Sequence, residues 1–334
     1  MHGRLEWAEL DSQALTGNPL GDPARRPLLL YLPPGHDGGR ERFPAVYFLH
    51  GFTGSAHAWI KPTPFQPSVP ERLDGLIASG ALPPVVGVFV DGWTALGGSQ
   101  WVNSDAIGRY RDYLARDVVA FVDARCRTVP AAGARAVVGK SSGGYGALVM
   151  GAHHPDVFGH VASHAGDSAF EYCYLPDFPR TAAAMEDSDP AVWFEGFLRR
   201  ARDTKPRSDD HPVLNILAMS AAYSPRAGAP LGLELPFEPR SARLREEVWA
   251  RWLAHDPARF VPRALESFRK LRSVYLDCGT RDEFNLRWGA RMVVEALREG
   301  GVEVVHEEFE DGHGGIDYRY VRSLSYLVPR MELG

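Results

Sequence analysis

A serine within a Gly-x-Ser-x-Gly motif is the first residue of this chain whose setting could support chemistry. Ser141 lies between Gly139 and Gly143, after the apolar run at 136–138 and before a predicted helix. A strand–turn–helix context with small flanking residues is typical of a nucleophile elbow. The turn places a helix N-terminus beside the serine, where free N–H groups favour developing negative charge. We therefore predict that Ser141 is a nucleophile, with the adjacent Ser142 as the alternative.

The same residues resemble the end of a phosphate-binding P-loop, because Gly139 is followed by Lys140 and Ser141. That motif requires a glycine at position 134, which is alanine here, and Gly133 is one residue too early. The apolar strand also occupies the place of the phosphate loop. The sequence therefore disfavours nucleotide binding, but a Gly-x-Ser-x-Gly motif is common and needs partners to carry a function.

A carboxylate is the first required partner. Asp282 lies in a Gly-containing loop just past the predicted strand at 273–276, at the sheet edge where sites gather. Glu283 is the near alternative, and Asp277 lies at the strand end. We predict that Asp282 is the acid.

A histidine is the second required partner. His313 lies in the Gly-rich stretch 310–315, after the last predicted strand, where glycines let the loop bring an imidazole across the sheet edge. His306, within the strand pattern, and His255 are the competitors. The chain order Ser141, Asp282, His313 is that of α/β-hydrolases, in which the histidine acts as base and the acid orients it.

Backbone N–H groups are predicted to stabilise an oxyanion. The segment 47–54 reads as a strand that ends in His-Gly, followed by a loop with a second glycine. In this fold that loop donates one N–H group and the residue after the nucleophile donates the other. The predicted donors are the N–H groups of Phe52 and Ser142, with His50 bracing the loop.

Apolar, β-branched and aromatic runs alternate with helical patterns along the chain, which predicts an α/β fold with a mostly parallel sheet covered by helices on both faces. The predicted strands span 27–32, 45–49, 85–90, 136–138, 159–164, 273–276 and 302–309. The predicted helices span 109–125, 143–154, 191–202, 241–255 and 287–299.

The stretch 171–265 departs from this alternation, because it is rich in proline and holds no clear buried strand. Its tryptophans and phenylalanines are too numerous for a solvated linker. We predict an α/β-hydrolase core at 1–170 and 266–334, with 171–265 inserted as a helical cap or lid.

Aromatic and polar residues near the predicted sheet edge are candidates for the substrate pocket. Trp93, Trp101 and Asn103 lie in the long loop after the strand at 85–90. Tyr145 and Asp167 are further candidates. Packing between core and cap is an equally good interpretation of the aromatic residues.

Composition excludes several classes of protein. The net charge is −5 with no basic block, which disfavours nucleic-acid binding, and no run reaches the length of a membrane span. The charged N-terminus lacks the apolar core of a signal peptide, so a cytoplasmic location is expected. Three widely spaced cysteines favour neither disulfides nor zinc, and we prefer structural roles for His153, His154, His160 and His164 over a metal site. No cofactor is predicted.

Five segments together resemble the esterase D or putative esterase family, which includes S-formylglutathione hydrolases, feruloyl and acetylxylan esterases, enterochelin esterases and mycolyltransferases. These segments are LLLYLPPG (28–35), YFLHGFTG (47–54), GKSSGGYGAL (139–148), LDCGTRDEF (276–284) and DGHGGIDYRY (311–320). The resemblance spans most of the chain outside the insertion and implies the same three residues, Ser141, Asp282 and His313. Many relatives carry methionine where this chain has Ser142, and the insertion prevents a substrate from being carried over.

The resulting hypothesis is a serine esterase that acts on a small-molecule carboxylic ester through an acyl-enzyme intermediate. An acyltransferase, in which a bound alcohol replaces water, is the first alternative. A non-catalytic binding protein on the same fold is the second. The sequence is compatible with a homo-oligomer and does not define the acyl or alcohol group.

Overall fold

The computed structural model describes residues 1–334 and is built on a mixed sheet of eight strands with the order β1-β2-β4-β3-β7-β8-β9-β10. Its strands are β1 (Arg4–Asp11), β2 (Arg25–Leu32), β3 (Ala45–Leu49), β4 (Val86–Val90), β7 (Arg135–Lys140), β8 (His160–His164), β9 (Ser273–Gly279) and β10 (Val305–Phe309). The hairpin strands β5 (Asn103–Ser104) and β6 (Gly108–Arg109) form a separate small sheet. The strands from β4 to β10 in the main sheet are parallel, and β2 pairs antiparallel with both β1 and β4. The predicted α/β fold with a mostly parallel sheet is confirmed.

Helices cover both faces of this sheet. They are α1 (Val69–Ala78), α2 (Tyr110–Asp112), α3 (Val119–Arg125), α4 (Ser142–His153), α5 (Phe170–Cys173), α6 (Phe178–Met185), α7 (Pro190–Asp203), α8 (Asp210–Tyr223), α9 (Glu246–Ala254), α10 (Pro257–Phe260), α11 (Leu265–Phe268), α12 (Leu286–Glu299) and α13 (Tyr320–Leu327). Helices α1 and α13 pack on one face, whereas α3, α4 and α12 pack on the other. No helix is both long enough and apolar enough to cross a lipid bilayer.

The sequence patterns missed or misplaced some elements. Strand β1 was not predicted, because it is a charged edge strand with only Ala8 and Leu10 buried. The helix predicted at 109–125 contains a π-helical turn at Tyr113–Val118. Helix α8 was missed because it is buried on all sides and therefore lacks the amphipathic period that marks a surface helix.

The segment 171–265 is mostly helical and holds no strand of the main sheet. The predicted helix at 241–255 begins only at Glu246, because the preceding residues bridge back to Phe237 through Leu244. Buried side chains of α8 and α9 join the same hydrophobic cluster as α4 and α12. This segment is thus packed directly onto the sheet face that carries α4.

Candidate active site

Ser141 occupies a sharp turn between β7 and α4. Its backbone adopts φ 58° and ψ −127°, a positive-φ conformation that residues with a side chain rarely take. A Cβ atom added to Gly139 would lie 2.4 Å from the Gly143 carbonyl carbon, and one added to Gly143 would lie 2.0 Å from the Leu49 oxygen. Both glycines are therefore required for the turn to fit against the sheet.

The serine, the histidine and the aspartate meet at the carboxyl edge of the parallel strands. His313 Nε2 lies 3.0 Å from Ser141 Oγ, and His313 Nδ1 lies 2.8 Å from Asp282 Oδ2. Because an ionised carboxylate only accepts hydrogen bonds, Nδ1 carries the proton and Nε2 is free to accept from the serine hydroxyl. The Phe284 ring lies edge-on to the imidazole, with the two ring centroids 4.8 Å apart.

Backbone N–H groups fix the orientation of the Asp282 carboxylate. Its Oδ1 accepts the backbone N–H groups of Phe284 at 2.9 Å and Leu286 at 3.4 Å, which leaves Oδ2 for the imidazole. Glu283, the near alternative, does not reach the ring. It accepts the backbone N–H of His313 at 2.7 Å through Oε2, and so anchors the histidine loop.

The aspartate and the two histidines that compete with these residues by sequence all lie away from the serine. Asp277 is fully buried and bonds His164 Nδ1 at 2.7 Å and Arg319 Nε at 2.8 Å. His255 stacks on Tyr223 within the 171–265 segment. His306 is in β10 and has a buried Nε2 atom without a partner.

Two backbone N–H groups near Ser141 have no acceptor in the protein. Ser142 is the first residue of α4, so its N–H has no partner within the helix. The Phe52 N–H donates to no protein acceptor, whereas the next residue, Thr53, donates to Gly97 at 2.8 Å. Gly51 brings this loop close, because a Cβ atom there would lie 3.1 Å from Ser141 Cβ.

His50 braces the loop rather than facing the serine. Its Nε2 accepts the Gly92 N–H at 2.8 Å, so the proton sits on Nδ1, which donates to the Gly51 carbonyl at 2.9 Å. Burial lowers the pKa of His50, which favours this neutral form. The imidazole therefore ties the loop after β3 to the loop after β4.

A cavity of about 300 Å³ opens above Ser141. Its lining combines the serine and histidine with side chains from the loop after β3, from α8, and from the loops after β8 and β9. Its polar lining residues include Asp167, Tyr174, His211, Asn215, Lys140 and Asp317. Burial lowers the pKa of Lys140 and of His211, since both cations lose water there.

Four of the five predicted pocket residues do not line this cavity. Trp101 and Tyr145 are completely enclosed in the core, Trp101 against Gly92 and Gly146 and Tyr145 against Phe170.

Trp93 is partly exposed outside the cavity, and Asn103 uses its side-chain oxygen to accept the backbone N–H of Asp112 at 3.2 Å. The structure therefore does not place these four residues at the cavity: Trp101 and Tyr145 pack in the core, and the Asn103 side chain bonds the backbone instead.

Asp167 is the predicted pocket residue that does line the cavity. Its Oδ2 accepts hydrogen bonds from Tyr174 Oη at 2.7 Å, Gln100 Nε2 at 3.0 Å and Ser142 Oγ at 3.3 Å. Burial raises the pKa of this carboxyl group, and the three donors oppose that effect.

Sequence reasoning missed Asn215, His211, Lys140 and Phe284, which all line the cavity. A signal was present for Asn215, because it is a lone amide in the apolar run VLNILAM at 213–219. Lys140 lies within the serine motif itself. Neither signal could assign a direction to the side chain without the fold.

Metal-ligating residues do not cluster. No group of three or more His, Cys, Asp or Glu side chains is arranged to hold a metal ion. His160 instead bonds Ser273 Oγ at 3.1 Å and the Gly133 carbonyl at 3.0 Å, and His164 bonds Asp277 and Ser323. All three cysteines are free and buried.

Comparison with solved structures supports the fold assignment. A ferulic acid esterase aligns over 99% of this chain and 99% of its own, with a TM-score of 0.64 and 16% identity. The Staphylococcus aureus fluorophosphonate-binding serine hydrolase FphF aligns over 98% and 99%, with a TM-score of 0.61 and 12% identity. An S-formylglutathione hydrolase from Agrobacterium tumefaciens aligns over 99% and 96%, with a TM-score of 0.58 and 16% identity. At these identities the likeness shows the α/β-hydrolase fold.

A family model identifies the sequence more directly. No curated protein sequence matches the chain. The model described as "Putative esterase" matches residues 23–299, which includes the serine motif, the 171–265 segment and Asp282. The chain therefore belongs to this esterase family and is a carboxylic ester hydrolase.

Proposed function

We propose that this protein hydrolyses small-molecule carboxylic esters through an acyl-enzyme formed on Ser141. The observation that carries the proposal is the continuous hydrogen-bonded chain from Ser141 Oγ through His313 to Asp282, with links of 3.0 and 2.8 Å. Nucleophile, base and orienting acid within hydrogen-bond reach of one another are the arrangement that acyl transfer requires.

In the first half-reaction His313 Nε2 accepts the proton of the Ser141 hydroxyl as the oxygen attacks the ester carbonyl. Asp282 keeps the proton on Nδ1 and stabilises the imidazolium that forms. The N–H groups of Phe52 and Ser142 hydrogen-bond the oxyanion of the tetrahedral intermediate, and each such donor typically contributes about 3 kcal/mol. His313 then gives its proton to the leaving alcohol.

In the second half-reaction a water molecule replaces the alcohol. His313 removes a proton from this water as it attacks the acyl carbonyl, and the same two N–H groups bind the second oxyanion. Collapse of that intermediate returns the proton to Ser141 and releases the acid. Every proton transfer uses groups of this chain.

We further propose that the segment 171–265 acts as a cap. Its side chains Tyr174, His211 and Asn215 line the cavity, so it covers the serine from above. A cap excludes water from the site and shapes the space for the substrate. It is therefore the part of the chain expected to set specificity.

A fluorophosphonate probe and p-nitrophenyl acetate provide the test. We expect the probe to label wild-type protein and p-nitrophenyl acetate to be hydrolysed, and both reactions to disappear in Ser141→Ala. Asn103→Ala, which lies outside the cavity, is the matched control and should still be labelled. Labelling that persists in Ser141→Ala, or wild-type protein that neither labels nor hydrolyses the ester, would contradict the proposal.

A further inference from the structure

Two polar side chains that line the cavity, Asp167 and Asn215, have hydrogen-bonding groups without a partner in the protein. Asp167 is 7% exposed, and all of its hydrogen bonds with protein groups reach Oδ2. No protein donor reaches Oδ1. The carboxyl group is locked in place by Tyr174, Gln100 and Ser142, so its second oxygen has a fixed position beside the serine motif.

Asn215 provides the second unused group. It is 8% exposed, lies in helix α8 and lines the same cavity, yet its side-chain amide has no hydrogen-bond partner in the protein. The amide therefore retains donors and an acceptor that a ligand in the cavity could use. The surrounding residues of α8 are apolar, so packing alone would favour leucine at this position.

Gln100 links Asp167 to the helix that carries Asn215. Its Nε2 donates to Asp167 Oδ2 at 3.0 Å and also contacts Met219 Sδ. Met219 lies four residues after Asn215 in α8, and residues with this spacing share a helix face one turn apart. The Gln100 backbone is in the left-handed region, with φ 51°, which is strain that functional sites commonly retain.

We propose that Asp167 Oδ1 and the Asn215 amide together bind a hydroxyl group of the substrate ester, an inference that rests on the proposed function of Ser141. A hydroxyl group donates one hydrogen bond and accepts others, so it can satisfy the carboxyl oxygen and the amide N–H together. An ammonium group could instead donate to Asp167 and to the Asn215 amide oxygen, so amino esters are the competing substrates that the experiment must include.

The consequence is a preference for hydroxylated esters over matched esters that lack the hydroxyl. A site built to hydrogen-bond a hydroxyl group rejects the analogue without it, because the polar groups of the site are then buried unpaired. At the best hydroxyl position we expect kcat/KM to exceed that of the unsubstituted ester by at least about tenfold.

The experiment measures this ratio by following acid release in a pH-stat. Methyl 6-hydroxyhexanoate is compared with methyl hexanoate, and 4-hydroxybutyl acetate with butyl acetate. In each series the hydroxyl group is moved along the chain one carbon at a time. The ratio is used because it cancels any change in the overall rate of a variant.

The decisive variant is Asn215→Leu, which removes the amide, loses no hydrogen bond within the protein and retains the side-chain volume. We expect the ratio to fall towards one in Asn215→Leu and also in Asn215→Ala, which adds no apolar bulk. Lys140→Met alters a different polar side chain of the cavity lining, one without a hydrogen-bond partner in the protein, and is the matched control, in which the ratio should persist.

Three results would overturn the inference: no hydroxylated ester preferred by more than about twofold, a preference that survives in both Asn215 variants, or a stronger preference for the corresponding amino esters. Failure of the proposed function would look different. In that case either Ser141→Ala would still hydrolyse the esters, or no form of the protein, wild type included, would hydrolyse any of them. Turnover that depends on Ser141 with a ratio near one would reject the hydroxyl site alone.

Discussion

His313 donates its backbone N–H to Glu283 Oε2 across 2.7 Å, while its side chain bonds the neighbouring Asp282 at 2.8 Å. Two adjacent carboxylates therefore hold one histidine by different groups. Glu283 fixes where the loop lies, and Asp282 fixes how the ring is turned. The structure thus assigns different contacts to Asp282 and Glu283, which the sequence alone could not do.

Substitution of the two acids should separate these roles. We expect Asp282→Asn to lower kcat by about 10⁴-fold, because the amide favours the wrong imidazole tautomer. Glu283→Gln retains an acceptor for the His313 N–H and should cost less than about tenfold. Steady-state kinetics with p-nitrophenyl acetate measure both values. A larger loss in Glu283→Gln than in Asp282→Asn would make Glu283 the orienting acid.

Replacement of the second serine of the motif should have little effect on turnover. Ser142→Ala removes the hydroxyl group that donates to Asp167 at 3.3 Å but keeps the backbone N–H beside Ser141. We expect kcat for p-nitrophenyl acetate to stay within about fivefold of wild type, since the proposed oxyanion donor is the backbone N–H of residue 142, which the substitution keeps. If Ser142→Ala is inactive and Ser141→Ala is active, the nucleophile has been assigned to the wrong serine.

The buried pair of Arg319 and Asp277 should matter for stability. Arg319 Nε donates to Asp277 Oδ2 at 2.8 Å, and both side chains are nearly inaccessible to solvent. Arg319→Met leaves a buried carboxylate with fewer partners, and we expect the free energy of unfolding to fall by about 3 kcal/mol.

Urea denaturation followed by circular dichroism measures this loss. Arg322→Met is the matched control, because Arg322 is 60% exposed where it pairs with Glu307 and should contribute less than about 1 kcal/mol. Equal effects of the two substitutions would contradict the distinction between the buried and exposed pairs.

Buried neutral histidines should make the fold sensitive to acid. Burial lowers the pKa of His160 to about 4, whereas an unfolded histidine titrates near 6.5. Between these values the unfolded chain binds more protons than the folded one, so the free energy of unfolding falls as the pH falls from about 6.5 to 4. His160 alone accounts for a loss of up to about 3 kcal/mol.

The measurement is the urea midpoint at pH 7.5 and at pH 4.5 for wild type and for His160→Gln. We expect the difference between the two midpoints to be smaller in the variant, because glutamine does not titrate. An unchanged difference would mean that His160 does not become charged when the chain unfolds.

Much of the candidate site could be predicted because each of the three proposed catalytic side chains follows a strand. Parallel strands bring their carboxyl ends to one edge, so Ser141 after β7, Asp282 after β9 and His313 after β10 had to lie near one another. The two glycines around Ser141 indicated a tight turn from the sequence alone. The structure explains them, because the Leu49 carbonyl lies where their side chains would be. The turn and the shared sheet edge depend on local sequence and strand order, which can be inferred without coordinates.

The cavity walls could not be predicted in the same way. Trp101 and Tyr145 carry the residue types of a binding site, yet both pack inside the core. Asn215 comes from a buried helix that has no helical period to reveal it, and its contact with the cavity depends on how α8 crosses the sheet face.

Residue types and chain order were thus sufficient to predict the fold class of this protein and to select the three side chains that we propose to be catalytic. Tertiary packing alone decided that Glu283 anchors a loop, that Asp167 keeps one free oxygen and that Asn215 lines the cavity above Ser141. The reason is physical: backbone patterns report local conformation, whereas the direction and partners of a side chain are set by residues distant along the chain.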